Sequence, residues 1–523
     1  MIHRPHAVLP EATDLRRRRL LQSLGLAGIA AGSGVWPGLL RAGEHGGQAA
    51  RRGGTLRVAL PMADSIDPLQ MSAGGSIAIV QQVAEYLVWA EDDLTLRPVL
   101  ATDWAPRNGG RTWIFRLRQG VRFHDGREMT SADVVASFRR MVMPDSPSAA
   151  SAQLGFLRPD GVSADDRYTV RFELDRPIGA FPYYTHIYNA VILPEDYAGD
   201  FADSPIGTGP FRLVDYRPQE GAVVERNPDY WDSPRPYLDR VELSLYDGSQ
   251  PQVLAMQGGA ADVMLGAGYI DARPLFDDED IEIVAAPTAR HRQLCMRADQ
   301  PPFEDVRVRR AVALAVQRPA LIDTLLGGYA ALGNDHPVAD VYPLAVDLEQ
   351  RERDLAEAQR LLREAGAPNG FPVDLYIGRV EELPQYGQVL QQQLAEVGIR
   401  VNLQIEPLNV YYDHWTEVPF GLTDWVSRPT PDQILSVAFR GDAEWNAAHW
   451  RNDDFDRILE RFQAEPDAGR RSELATRLAG ILNEEVPAMI GYFNDGLRPV
   501  TRQVRDVTGN LSNYLDLTRA WLA

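Results

Sequence analysis

The chain has 523 residues and a net charge of −20, and its 53 basic residues are all arginine. With no lysine, a Schiff-base lysine, a pyridoxal phosphate anchor, a lysine general base and a P-loop lysine are all excluded. A single cysteine, Cys295, excludes an intrachain disulfide framework and thiolate zinc or iron–sulfur clusters, though not by itself a catalytic thiol.

Length points to roughly three to four domain-sized units of ~150 residues. Apolar content of 45% with 24% charge is ordinary globular composition. The charge is unevenly spread. Residues 1–50 hold six arginines against three acids, which leaves the remainder with 47 arginines against 70 acids, a balance of −23. So acidic a body argues against nucleic acid, whose phosphates demand a cationic surface.

The first 50 residues read as an export leader. Arg16–Arg19 precede a modest apolar stretch, Leu20 to Ala31, too short to span a bilayer, and small residues follow near Ala49–Ala50. Arg17-Arg18-Arg19-Leu20-Leu21-Gln22 resembles the twin-arginine consensus, which implies the twin-arginine export machinery as a partner. No cysteine lies near the cleavage region, so a lipoprotein anchor is not expected. The expected mature protein is a soluble monomer in the periplasm.

Beyond Gly53-Gly54, the alternation of Leu56, Val58 and Leu60 predicts a strand, and a helical pattern runs from Ile77 to Leu87 after Ser72-Ala73-Gly74-Gly75-Ser76. Strands are predicted at Trp113–Arg118 and Arg171–Leu174, with a helix between them capped by Thr130. Asp305 should cap a helix over 306–316, and Pro319 should start one that ends at Gly327-Gly328. Further helices are predicted at 352–365 and 389–397, and strands at Val373–Ile377 and through Ile399, Val401, Leu403 and Ile405. Helix and strand alternating in this way predict an α/β architecture.

Several blocks in this order resemble the extracytoplasmic solute-binding proteins that serve peptide and nickel ABC importers. They are Phe115-Arg116-Leu117-Arg118-Gln119-Gly120-Val121-Arg122-Phe123-His124-Asp125-Gly126 with Thr130–Val134, Ile206-Gly207-Thr208-Gly209-Pro210-Phe211, Arg226–Trp231, Pro302–Ala311, and Ala358–Gly366 with Asn369-Gly370-Phe371. The resemblance spans the chain from about Gly53 to its end. It implies a two-lobed, hinge-closing α/β fold of the large binding-protein type. Lobe I would comprise 53–85, 205–290 and 498–523, with an extra subdomain at 86–204, and lobe II would be 291–497. His291–Leu294 and Gly491–Arg498 would be the hinge crossings. Permease subunits of the transporter are the implied partners, and no cofactor is implied. His124-Asp125-Gly126 and Gly207-Thr208-Gly209 read as turns. Arg309-Arg310 would solvate a helix face or pair with acids.

The ligand would lie between the lobes. Ser72, Gly74 and Ser76 match the lobe I loop that reaches the ligand in peptide-binding relatives, and the following helix would offer free amides to an anion. In lobe II, relatives have a tryptophan and, about three residues later, an aspartate that pairs with the peptide α-amino group. Trp425 matches the tryptophan, which puts Arg428 at the aspartate's place and Ser427 beside it. An arginine there would hold a carboxylate or phosphate, unless Asp424 or Asp432 restores the acceptor. Trp445 and Asn446 match another segment of the cleft lining, and Arg379 follows the Val373–Ile377 strand. Together these imply a receptor for a short peptide or an amino-acid-derived, opine-like anion. A metal chelate is the alternative. Direct ligation is not expected, because the nine histidines show no H-x-H or H-x-x-x-H spacing. A further alternative, an exported hydrolase, has no G-x-S-x-G, H-E-x-x-H or cysteine motif behind it.

Overall fold

The alternation of Leu56, Val58 and Leu60 resolves into the strand Thr55–Pro61, near the middle of a seven-stranded sheet. This strand runs parallel to Arg240–Tyr246 on one side and to Val263–Met264 on the other. Gly221–Arg226 and Phe211–Arg217 extend the sheet past Arg240–Tyr246, and Gly496–Thr501 and Ile281–Ala286 close its other edge. The computed structural model describes residues 49–199, 201–507 and 514–523; apart from Ala49 and Ala50, the expected leader lies outside them.

A second seven-stranded sheet forms the other lobe. Its order is Ala330–Leu332, Tyr492–Asn494, His291–Met296, Phe420–Trp425, Pro372–Gly378 and Arg400–Glu406, with Ala488–Met489 beside His291–Met296. Its last three strands are mutually parallel, as βα units require. Both faces of this sheet are covered. Leu294, Met296, Phe420 and Leu422 pack with Leu375 and Ile377 on one side, while Cys295, Trp425, Ile490 and Phe493 join the cluster on the other. Cys295 is therefore a core residue, and burial pushes its thiol up to about 12, well away from the reactive thiolate range.

A four-stranded antiparallel sheet, Ala101–Arg107, Thr112–Leu117, Thr169–Leu174 and Leu157–Asp166, lies between the first and second stretches of the lobe I sheet in sequence. Its strand residues Phe115 and Phe172 belong to the same continuous core as Leu56 and Val58. The family-like blocks explain how this core is closed. His124 donates its amide to the carbonyl of Gly207 (2.9 Å), and its ring Nε2 lies 3.1 Å from the carbonyl of Gly209. At Gly207 a Cβ would come within 2.0 Å of the Val83 carbonyl oxygen, so the turn must be glycine to approach the helix end.

Helix boundaries differ from expectation where side chains intervene. The first helix is Gly74–Val83 and stops before Leu87, because Gly209 takes the Val83 carbonyl and Ala84 turns extended. The predicted 352–365 helix begins at Leu355, since Asp354 caps it by accepting from the Glu357 amide. The 389–397 helix begins six residues earlier, at Leu383, with Pro384 in its first turn. Arg309 and Arg310 neither solvate a face nor pair with acids. Their guanidinium groups donate to the carbonyls of Glu485 and Glu484, the C-terminal end of the helix Ala468–Glu485, where cations complement the dipole.

Two crossings join the sheets. One is residues 287–290, between Ile281–Ala286 and His291–Met296; the expected segment His291–Leu294 lies inside the second of these strands. The other is Asp495, between Tyr492–Asn494 and Gly496–Thr501. The crossings are bonded together: Thr288 Oγ1 donates to the carbonyl of Asn494, and the Asn494 amide donates to the carbonyl of Arg290 (2.8 Å). Among the described residues no helix is long and apolar enough to cross a membrane.

Candidate functional site at the carboxyl edge of the second sheet

In open α/β sheets, ligands sit outside the carboxyl ends of parallel strands, where loops diverge and leave a crevice. Here the parallel strands Pro372–Gly378, Arg400–Glu406 and Phe420–Trp425 end at one edge. Arg379, Tyr412 and Trp425 to Arg428 follow these ends. Ile377 pairs with Leu422, so the loops bearing Arg379 and Trp425 leave from neighbouring strands.

Four rings form a row here. Ring centroids are 6.2 Å apart for Tyr412 and Trp415, 5.9 Å for Trp415 and Trp425, and 6.0 Å for Trp425 and Trp445. Trp425 is buried, whereas Trp445 is 43% and Val426 55% exposed.

The loop Trp425–Arg428 contains three buried polar atoms with no hydrogen-bond partner among the described residues: Trp425 Nε1, Ser427 Oγ and Arg428 Nε. Arg428 makes no ion pair among the described residues. Burial lowers its pKa from the ordinary arginine value, and the Tyr342 hydroxyl donates to its carbonyl (3.0 Å). An arginine stays charged in proteins, so this is a half-buried cation without a counter-ion. Both aspartates already hold a partner in the protein, each through one carboxylate oxygen. Asp424 accepts from the Tyr412 hydroxyl (2.6 Å), and Asp432 is buried against Arg471 (3.4 Å). Arg379 is exposed and its amide donates to the carbonyl of Glu406; its guanidinium makes no ion pair among the described residues.

The lobe I loop is arranged in the opposite way. Asp64 accepts from the Ser72 amide (2.9 Å), the Ser72 hydroxyl (2.6 Å), the Ala73 amide (3.1 Å) and the Ser76 hydroxyl (2.7 Å). A side-chain carboxylate thus already occupies the helix start where an incoming anion was expected. Burial would raise the Asp64 carboxyl, but the two serine hydroxyls and the backbone donors hold it at about 2. Ser76 lies inside the helix and is fully buried. The glycines serve internal packing: a Cβ at Gly75 would come within 2.2 Å of the Pro61 carbonyl oxygen, and one at Gly74 within 3.3 Å of Pro61 Cγ. Asn446 is likewise engaged within its own loop. Its Nδ2 donates to the carbonyl of Trp450 (2.7 Å), and its Oδ1 accepts from the Trp450 amide (3.3 Å).

Sequence reasoning missed the charges beside the crossings. Arg292 donates from Nε to Glu382 (2.9 Å) and from one terminal nitrogen to Glu381 (2.6 Å), while Arg290 pairs with Glu381 (2.5 Å). Tyr492 and Asn494 also donate to Glu382. Burial would raise the Glu382 carboxyl, but Arg292 and the Asn494 amide hold it at about 2. A cavity of about 200 Å³ opens beside these groups, lined by Tyr269 and Asp271 of the first lobe and by Arg290, Glu381 and Asn494. The available signal was the spacing of Arg290 and Arg292 around the start of a buried strand. Among the described residues, no group of three or more His, Cys, Asp or Glu could hold a metal ion.

Two α/β lobes, joined by two short crossings and presenting unpartnered polar groups at a strand edge, define a two-lobed solute-binding protein. The chain belongs to the bacterial extracellular solute-binding proteins, family 5, whose middle-region model matches residues 95–447. It is similar to the glutathione-binding protein GsiB of Pectobacterium atrosepticum, at 28% identity over 417 residues, covering 76% of this chain and 80% of that protein. Its fold is that of the unliganded open form of the periplasmic murein tripeptide-binding protein MppA, with a TM-score of 0.81, 20% identity and coverage of 91% and 98%. It is also that of AgaA of A. tumefaciens R10 in complex with agropinic acid, with a TM-score of 0.68, 22% identity and coverage of 90% and 99%.

Proposed function

We propose that this protein is the non-catalytic receptor of an ABC importer, and that it captures a short peptide or an opine-like, amino-acid-derived anion between its lobes. Export would follow the twin-arginine-like leader at Arg16–Arg19, and the permease would receive the loaded form. The names of relatives support this range of solutes, since one binds glutathione, one a murein tripeptide and one agropinic acid. The observation that carries the anionic reading is Arg428, a half-buried cation with no carboxylate beside it and a buried Nε that lacks an acceptor. A carboxylate satisfies such a group through charge-assisted hydrogen bonds, whereas an ammonium is repelled. Closure about residues 287–290 and 495 would bury the solute. The better superposition on an unliganded open form (0.81) than on a complex (0.68) supports an open, ligand-accepting arrangement here.

Calorimetry with glutathione, di- and tripeptides and agropinic acid tests the reading. Arg428→Asp is expected to weaken binding of the best anion by about 100-fold or more, as removal of a buried charge partner does. Unchanged affinity, with circular dichroism showing the fold intact, would remove Arg428 from the site.

A further inference from the structure

We infer that the subdomain built on the four-stranded sheet is a second pivot between the lobes, so that the second lobe turns about a line running from the two crossings to a glycine seat at Gly110 and Gly179. The seat is fixed on the first-lobe side. Ile178 donates its amide to the carbonyl of Gly110 (3.1 Å), and Trp113 Nε1 donates to the carbonyl of Ile178 (3.1 Å). Phe181, two residues on from Gly179, is fully buried. Its ring packs 5.0 Å from that of Phe172, in the core that also contains Leu56 and Val58.

The seat receives the turn that follows the helix Asp453–Ala464 of the second lobe. The Gly179 amide donates to the carbonyl of Gln463 (2.7 Å). A Cβ on Gly179 would come within 1.8 Å of the Glu465 carbonyl oxygen, and the three atoms nearest to it all belong to Glu465 and Pro466. Gly110, at φ +88°, faces the Ala464 carbonyl oxygen, which a Cβ would approach to 3.3 Å. Glycine at both places lets the two backbones meet this closely. The turn is itself held. Arg471 donates to the carbonyl of Phe462 (3.1 Å) and covers its ring at 4.4 Å, and Gln463 Nε2 donates to the Ser436 hydroxyl (2.7 Å).

A second patch widens the contact. Ala90 and Leu94, 5% and 3% exposed, lie in one apolar cluster with Ile434, Phe462 and Leu474 of the second lobe. Tyr183 packs against that cluster, and its hydroxyl donates to the carbonyl of Leu94 (2.8 Å), which ties the patch to the seat. Two rigid bodies linked at one place can turn about any line through it, whereas a second link leaves only the line between the two. The first link is the pair of crossings at 287–290 and 495. Closure is then a rotation about one fixed axis, whichever solute is captured.

The first readouts need no solute. In hydrogen exchange on the full protein, the Gly179 amide is expected to exchange about 100-fold or more slowly than an unstructured amide, because it is bonded across the lobes. Leu94→Gly should speed that exchange about 10-fold or more, since a buried side chain is lost at a residue whose positive φ (57°) suits glycine. Gly179→Ala should part the seat from the turn. Spin labels on Val214→Cys in the first lobe and Arg363→Cys in the second, both exposed positions, should then pass from one narrow distance population to a broad one. The native Cys295 is buried and takes no label. Free exchange of the Gly179 amide, or a distance population that neither variant broadens, would overturn the second pivot. Loss of the protection on saturation with glutathione would overturn it as well, because the contact would then be one that closure breaks.

Discussion

The two loops expected to hold ligand differ in who satisfies their polar groups. Ser72 to Ser76 in the first lobe closes on Asp64, which takes two amides and two hydroxyls. Trp425 to Arg428 in the second leaves an indole nitrogen, a hydroxyl and a guanidinium nitrogen buried and unanswered. Both stretches are small or polar and stand beside a strand or helix terminus, so they look alike in composition. An unmet buried donor costs about 1–3 kcal/mol, so a ligand that bonded these three atoms would recover that cost. Satisfied groups hold the scaffold; unsatisfied ones wait for a partner.

Mutations can break this contrast from either side. Asp64→Ala should have the largest effect on folding. It releases four donors, and unfolding in denaturant should show a loss of about 1–3 kcal/mol, discounted for the exposure of the carboxylate. The effect depends on pH in a definite sense. The folded carboxyl sits at about 2 against an ordinary 3.8, so its contribution is present above 3.8 and fades as pH falls toward 2. A wild-type protein whose advantage over Asp64→Ala grew on acidification would contradict the cage.

Asn446→Ala comes next, at about 1–2 kcal/mol of stability, because its amide bridges its own loop to Trp450. Ligand affinity should fall only as far as the neighbouring Trp445 loses its support. A larger loss of affinity than of stability would return Asn446 to the ligand. Ser427→Ala should do least: folding is unaffected or slightly improved, since an unpartnered hydroxyl disappears, while affinity drops a few-fold. Destabilisation by Ser427→Ala would mean that the hydroxyl already has a role in the unbound protein.

Much of the fold was legible because patterns of period two and 3.6 reflect burial directly. Leu56, Val58 and Leu60 marked a central strand, and Asp305 and Gly327 marked helix ends whose capping is local chemistry. The site was legible only in part. Trp425 and Arg428 were singled out only by their match to a segment of relatives, and Asp64, eight residues before Ser72, gave no local sign that it would reach the helix start. Arg309 and Arg310 looked like surface charge because the carbonyls they cap are more than 170 residues away. Likewise Arg292 meets Glu382 across 90 residues, a pairing that neither segment announces by itself.

The bonds between the two crossings carry a mechanical consequence. Thr288 and Arg290 on one strap are tied to Asn494 on the other, immediately before the single residue that returns the chain to the first sheet. Straps stitched in this way resist sliding, because sliding would tear the stitches one after another. They yield to torsion, which small backbone rotations near Asp495 can absorb. Such a joint would act as a torsion bar, and it would carry the aromatic row and Arg428 together along one arc.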